Sequence, residues 1–187
     1  MKGMLKENSL ENKVILVTGG GSGLGKSMVK YFLELGANVI ITSRREDLLK
    51  EVAKDLNKKF KAEVFPIACD VRNIEEVEKV VEESFNKFGK IDCLVNNAAG
   101  NFISRTEDLS PRAFTAISNI VFNGTFYTTN IIGKRWLKEK IKGSIISILT
   151  TWVYSSGPFT VPSAMSKSGL ATMTKSLAAE WGNRGIR

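Results

Sequence analysis

The chain has 187 residues, 43% of them hydrophobic, with 27 Lys and Arg against 19 Asp and Glu, a formal charge of +8 and no histidine. That length suits one domain with a substantial core. The missing histidines exclude a Ser-His-Asp triad, a histidine acid or base, and nearly every catalytic zinc site, so no metal site is expected. The positive charges alternate with acids, as in the segment KEVAKDLNKK at 50–59. They read as a solvated helix surface and not a nucleic-acid face, with attraction for a phosphate-rich ligand as the alternative.

The N-terminal stretch Met1–Lys13 is polar, and no apolar run reaches the length of a membrane span. Cys69 and Cys93 lie in apolar runs and read as core residues, which fits a reducing compartment. A soluble, cytoplasmic protein is the expectation.

In chain order, β-branched runs alternate with longer amphipathic segments. Strands are predicted at Lys13–Thr18, Asn38–Thr42, Glu63–Cys69, Ile91–Val95 and Ser144–Leu149. Helices are predicted at Leu24–Leu35, Glu46–Lys58, Ile74–Phe88, Arg112–Lys140 and Pro162–Asn183. Such alternation implies right-handed crossovers and an α/β fold: a doubly wound, Rossmann-like parallel sheet in a three-layer αβα sandwich. Residues 1–187 read as one dinucleotide-binding domain. The sequence ends at Gly185-Ile-Arg187, where a further strand is expected to begin, so a sheet of order 3-2-1-4-5-6 is expected to lack its last strands and expose the fifth.

The first strand runs into Thr18-Gly-Gly-Gly-Ser-Gly-Leu-Gly25, which opens a helix. Gly19, Gly21, Ser22, Gly23, Leu24 and Gly25 are candidate cofactor residues, because glycines let the backbone approach a pyrophosphate that the helix N-terminus attracts. The alternative is a tight turn that merely packs helix on sheet. After the second strand, an acid would select the ribose hydroxyls of NAD. This chain has Ser43-Arg44-Arg45 there, a set suited to a 2′-phosphate, so NADPH is the expected cofactor.

With Cys69-Asp70-Val71 and Asn96-Asn-Ala-Ala-Gly100 added, the pattern resembles the short-chain dehydrogenase/reductase family over essentially the whole chain. The resemblance implies that Asp70 and Val71 border the adenine and that Asn97, Ala98 and Ala99 line the cofactor channel. More narrowly, the segments Asn96–Ser104, Val121–Thr125, Val161–Gly169 and Ser176–Gly182 look like the 2,4-dienoyl-CoA reductase branch. That branch carries Ser-x-x-x-Lys in place of the usual Tyr-x-x-x-Lys, as in Ser163-Ala-Met-Ser-Lys167 here. By this resemblance Lys167 binds the nicotinamide ribose, Ser163 lies beside the cofactor, and Asn101 hydrogen-bonds the thioester carbonyl of an acyl-CoA substrate. A catalytic tyrosine is expected from the loop after the fifth strand. Counting back eleven positions from Ser163 reaches Trp152, whereas the nearby phenol is Tyr154, so Tyr154 is the candidate and Trp152 its rival.

The implied reaction is hydride transfer from NADPH to a dienoyl thioester, in fatty-acid metabolism. Three other readings stay open. One is a carbonyl or alcohol dehydrogenase, disfavoured because position 163 lacks the tyrosine. Another is a catalytically silent nucleotide-binding module. The remotest is a Ser163–Lys167 nucleophile and base pair. The helix around Met165–Trp181 is a candidate surface for a homo-oligomer.

Overall fold

Five runs of β-branched and aliphatic residues form a single parallel sheet in the computed structural model, which describes residues 5–187. They are β1 (Val14–Thr18), β2 (Asn38–Ser43), β3 (Val64–Ala68), β4 (Cys93–Asn96) and β5 (Ser144–Ser147). Their order is β3-β2-β1-β4-β5, with Leu16 opposite Ile40 on one side and Leu94 on the other. β1 is therefore central, and all five of its residues are buried. A strand covered on both faces needs apolar residues throughout, which is why VILVT is continuous and not alternating.

The two-residue pleat sorts these side chains into two cores. Ile15 and Val17 face α1 (Gly23–Glu34) and α2 (Glu46–Asn57), meeting Val29, Leu33, Leu49, Val52 and Leu56. Val14 and Leu16 face the opposite layer, with Val77, Val80 and Val81 of α3 (Ile74–Phe88). The same core takes in Ile132 and Trp136 of a later helix and Trp181 near the chain's end. Each fully buried aliphatic side chain contributes about 1.5–3 kcal/mol, so the two cores hold the three layers together.

The expected helix at Arg112–Lys140 is two helices. α4 (Pro111–Ser118) starts on Ser110, whose Oγ accepts the Ala113 N–H at 3.1 Å. A π-helical turn at Asn119–Asn123 follows, then α5 (Gly124–Glu139). At the start of α5 the helix lies close against the segment that follows β3: a Cβ on Gly124 would lie 2.6 Å from Val71 Cγ2. A short α6 (Trp152–Ser155), which the sequence pattern does not announce, precedes the long α7 (Val161–Trp181). β5 stops at Ser147, short of Leu149. Beyond it the Ile148 carbonyl accepts the Lys167 ammonium instead of a strand N–H. Part of the edge expected to lie open is paired: Ile145 N–H donates to the Arg187 carbonyl at 2.7 Å, and Arg187 N–H donates to Gly143 at 3.0 Å.

Asp92 fastens the start of the central strand. Its Oδ2 accepts the Val14 N–H at 2.9 Å, and Lys13 and Lys90 lie at 3.3 and 3.1 Å. Burial alone would raise its pKa. The Val14 N–H and the two lysines outweigh that and hold it below its ordinary value. We expect Asp92→Ala to cost about 2 kcal/mol in urea unfolding at pH 7, the usual worth of a hydrogen bond to a charged group. A carboxylate with a depressed folded pKa contributes stability above its unfolded pKa, so the gap between variant and parent narrows as pH falls below about 4.

Candidate active site

The cleft opens at the C-terminal ends of β1 and β4, where the chain order of the sheet reverses. Thr18, the last residue of β1 and 2% exposed, joins the two strands with one hydroxyl. Its Oγ1 donates to the Val95 carbonyl at 3.4 Å and accepts the N–H groups of Asn97 and Ala98 at 3.0 and 2.9 Å. Asn97 returns the contact, with Nδ2 donating to the carbonyls of Thr18 at 2.9 Å and Gly19 at 3.3 Å. Asn96 points the other way: Oδ1 accepts from Thr128 Oγ1 and Nδ2 donates to Thr129 Oγ1, which ties the loop to α5.

The glycine loop turns under this stitch. Gly19 has φ +68°, a conformation that favours glycine. A Cβ on Gly25 would sit 2.2 Å from the Gly19 carbonyl oxygen, so only glycine lets α1 start so close to the loop. Ser22 stands at the N-cap without a side-chain cap bond, and the first turn of α1 carries no acid. Its N–H groups and the positive end of the helix are thus available to an anion.

Beside this helix start lies a cavity of about 500 Å³. The loop contributes Gly19, Ser22, Leu24 and Gly25; β2 and its end contribute Thr42, Ser43, Arg44 and Arg45. Cys69, Asp70 and Val71 follow β3, and Asn97, Ala98 and Ala99 follow β4. The structure thus brings together most of the cofactor residues expected from the sequence. Gly21 is not in the wall: it packs beneath it, and a Cβ there would lie 3.1 Å from Leu49 Cδ2. Gly23, at φ +51° and facing open space, shapes the turn. Thr42, Cys69 and Ile120 line the cavity without having been expected. Thr42 and Cys69 were hidden as ordinary strand residues, and only the register of β2 against β3 brings them to the same opening.

The residues present fit a phosphorylated dinucleotide. Among the described residues Ser43 Oγ is buried without a hydrogen-bond partner and Thr42 Oγ1 has at most the weak acceptor or donor of the Cys69 thiol, an arrangement that costs energy unless a ligand supplies the partner. Arg44 and Arg45 are exposed, and among the described residues neither pairs with a carboxylate. Burial pushes the Cys69 thiol up to about 11, so it is an uncharged wall residue and not a nucleophile.

Ser163 and Lys167 share a face of α7, both buried, at 7% and 6% exposure. Burial pushes the Lys167 ammonium below its ordinary value. Its Nζ donates to the Ile148 carbonyl, while Ile148 N–H donates to the Asn96 carbonyl at 3.0 Å. Lys167 therefore belongs to the same C-terminal edge of the sheet as the cavity, although it does not line it.

The other expected catalytic groups lie apart. Asn101 is exposed in the loop after β4. Tyr154, on α6, is 87% exposed, and no hydrogen bond of its hydroxyl is found among the described residues. Trp152 is half-buried, with its indole so close to Gly157 that a Cβ there would lie 2.7 Å from Nε1. The segment after α6 holds two non-glycine residues in left-handed conformations, Ser156 at φ 56° and Phe159 at φ 64°. It touches the Asn101 loop through Ser104 N–H to the Phe159 carbonyl at 3.2 Å. Among the described residues no cluster of three metal-ligating side chains occurs, and no helix is long and apolar enough to cross a membrane.

Comparison with known proteins agrees with this geometry. An uncharacterized oxidoreductase of Caenorhabditis elegans is 45% identical over 98% of this chain and 59% of its own length. A protein named probable 2,4-dienoyl-CoA reductase in Bacillus subtilis is 38% identical over 95% of this chain and 70% of its own. The chain spans about three fifths of the length of several such relatives. The crystal structure of a short chain dehydrogenase from Bacillus anthracis, 44% identical, superposes with a TM-score of 0.91 over 96% of this chain and 74% of that one. The short chain dehydrogenase family model matches residues 13–187, and by that match, the fold and the cleft, the chain belongs to the short chain dehydrogenase family of oxidoreductases.

Proposed function

We propose that the chain forms the cofactor-binding part and catalytic core of an NADPH-dependent reductase of 2,4-dienoyl-CoA thioesters, acting in fatty-acid metabolism. The observation that carries this reading is the buried pair Ser163 and Lys167 on α7, where serine stands four residues before the lysine. The names of relatives such as the Bacillus subtilis protein support the substrate class.

In this reading Ser43, Arg44 and Arg45 hold the 2′-phosphate, and the start of α1 holds the pyrophosphate. Asp70 and Val71 flank the adenine. Lys167 fixes the nicotinamide ribose, and its lowered pKa reflects a buried setting whose charge the ribose hydroxyls would help solvate. The cofactor, when bound, would supply a hydride to the far end of the conjugated dienoyl thioester, and the extended enolate left on the substrate takes up a proton at its α carbon. Asn101 donates to the thioester oxygen, where negative charge accumulates, and a preorganised donor there stabilises the transition state. Tyr154 is the phenol that serves the same oxygen, a role that requires the 151–160 segment to turn it inward from its solvent-facing orientation. Trp152 offers only an indole N–H, which donates but does not exchange a proton.

A second reading, nucleotide binding without turnover, is favoured by the exposure of Tyr154. A homo-oligomer and a cytoplasmic location complete the proposal. Light scattering and microscopy test these two points, the second because relatives from fish, plant, yeast and rat are named peroxisomal.

Two predictions follow from these assignments. With a 2,4-dienoyl-CoA substrate, Asn101→Ala is expected to lower kcat about 10²-fold and Tyr154→Phe by at least tenfold, with NADPH binding unchanged in titration. An unaltered rate in Tyr154→Phe would remove the phenol from the mechanism, and NADPH binding without oxidation in the parent would favour the second reading. Separately, Arg44→Ala with Arg45→Ala is expected to weaken NADPH about 10- to 100-fold, as loss of charge-assisted hydrogen bonds does, while NADH binding changes little.

A further inference from the structure

The adenine side of the cavity places a carboxylate beside the cationic rim. Asp70 lines the same wall as Arg44 and Arg45. A carboxylate in that place repels a phosphate and competes with it for the arginines. Arg44 is close enough to help lower the Asp70 pKa, yet it forms no ion pair with Asp70.

Arg72 explains why. Its guanidinium grips both Asp70 oxygens, with Nε at 2.9 Å from Oδ1 and 3.0 Å from Oδ2, and Nη2 at 2.5 Å from Oδ2. The Arg72 N–H adds a bond to Oδ1 at 3.1 Å. The backbone of this turn is held independently: Cys69 N–H donates to the Ser43 carbonyl, Asp70 N–H to Glu76 Oε2 at 2.7 Å, and Asn73 N–H to the Asp70 carbonyl. Asn73 in turn caps α3. The ion pair therefore is not what shapes the turn.

We propose that Arg72 is a specificity-determining positioning residue: it occupies the Asp70 carboxylate so that Arg44 stays free for the 2′-phosphate of NADPH. The proposal rests on the NADPH reading given above. Removing the guanidinium leaves Asp70 facing Arg44 across the same cavity wall, and the two pair at the phosphate's expense. NADH, which carries no 2′-phosphate, does not depend on a free Arg44.

The test is a direct binding titration of NADPH and NADH, by nucleotide fluorescence, on the parent chain, Arg72→Gln and Arg72→Lys. Arg72→Gln is expected to weaken NADPH about tenfold while changing NADH less than about twofold, and Arg72→Lys, which keeps a cation for Asp70, is expected to bind NADPH within about threefold of the parent. NADH binding doubles as the check that the variant is folded. Equal loss of both nucleotides, no loss of either, or an Arg72→Lys variant as weak toward NADPH as Arg72→Gln would overturn the role of Arg72 while leaving the NADPH reading intact. A parent chain that binds neither nucleotide, or prefers NADH, overturns the NADPH reading itself and this role with it.

Discussion

The cleft depends on one hydroxyl group. Thr18 ends the central strand, and its Oγ1 fixes the backbone leaving β4 through two N–H groups and one carbonyl. β1 and β4 diverge at this point because their following segments leave for opposite faces of the sheet, so the gap between them would otherwise be free to open. With the stitch in place, the glycine loop, the start of α1 and the Asn97–Ala99 backbone keep a fixed separation around the cavity. The polar atoms used are all buried or half-buried, where hydrogen bonds are electrostatically stronger and unpaired groups more costly.

Around that junction the charges are arranged by layer. Lysines and acids interleave over the outer helices, while the cavity collects an uncompensated cationic rim and two under-partnered hydroxyls. The net charge of +8 is thus largely a property of the solvated surface, and the part relevant to binding is local to the end of β2. The one acid in the wall is neutralised within its own turn by a residue two positions on.

Strands and the glycine loop were legible in the sequence because their causes are local. A strand buried on both faces must be apolar at every position, and the close approach of Gly25 to the Gly19 carbonyl excludes any side chain. The helix over 111–139 was legible as helix but not as two pieces, since its apolar spacing does not mark the wide turn at Asn119–Asn123. Thr42 and Cys69 escaped notice for a similar reason, as did the pairing of Arg72 with Asp70: what makes them part of the cavity wall is strand register and side-chain rotamer. The resemblance placed Ser163, Lys167, Asn101 and an aromatic near α6, and the fold brings the first two together in a buried setting. Asn101 and Tyr154 lie on loops whose conformation no short-range pattern dictates, and there the sequence left the choice between Trp152 and Tyr154 open.

The π-helical turn between α4 and α5 has a bearing on how insertions and deletions act here. Successive residues of an α-helix are about 100° apart around its axis. A turn that closes with five residues absorbs about one more residue than its neighbours do, so Ile117 on one side and Thr128, Ile132 and Trp136 on the other keep the relative phase of a helix one residue shorter. Losing a single residue at 119–123 would let the turn close as ordinary α-helix with the Trp136 indole still donating to the Ile91 carbonyl, now at 2.8 Å, whereas losing one between Gly124 and Trp136 would rotate that ring about 100° away from it. The wide turn is therefore the place in this long helix where a one-residue deletion leaves both flanking faces in phase, and the α-helical turns beside it are where length is fixed.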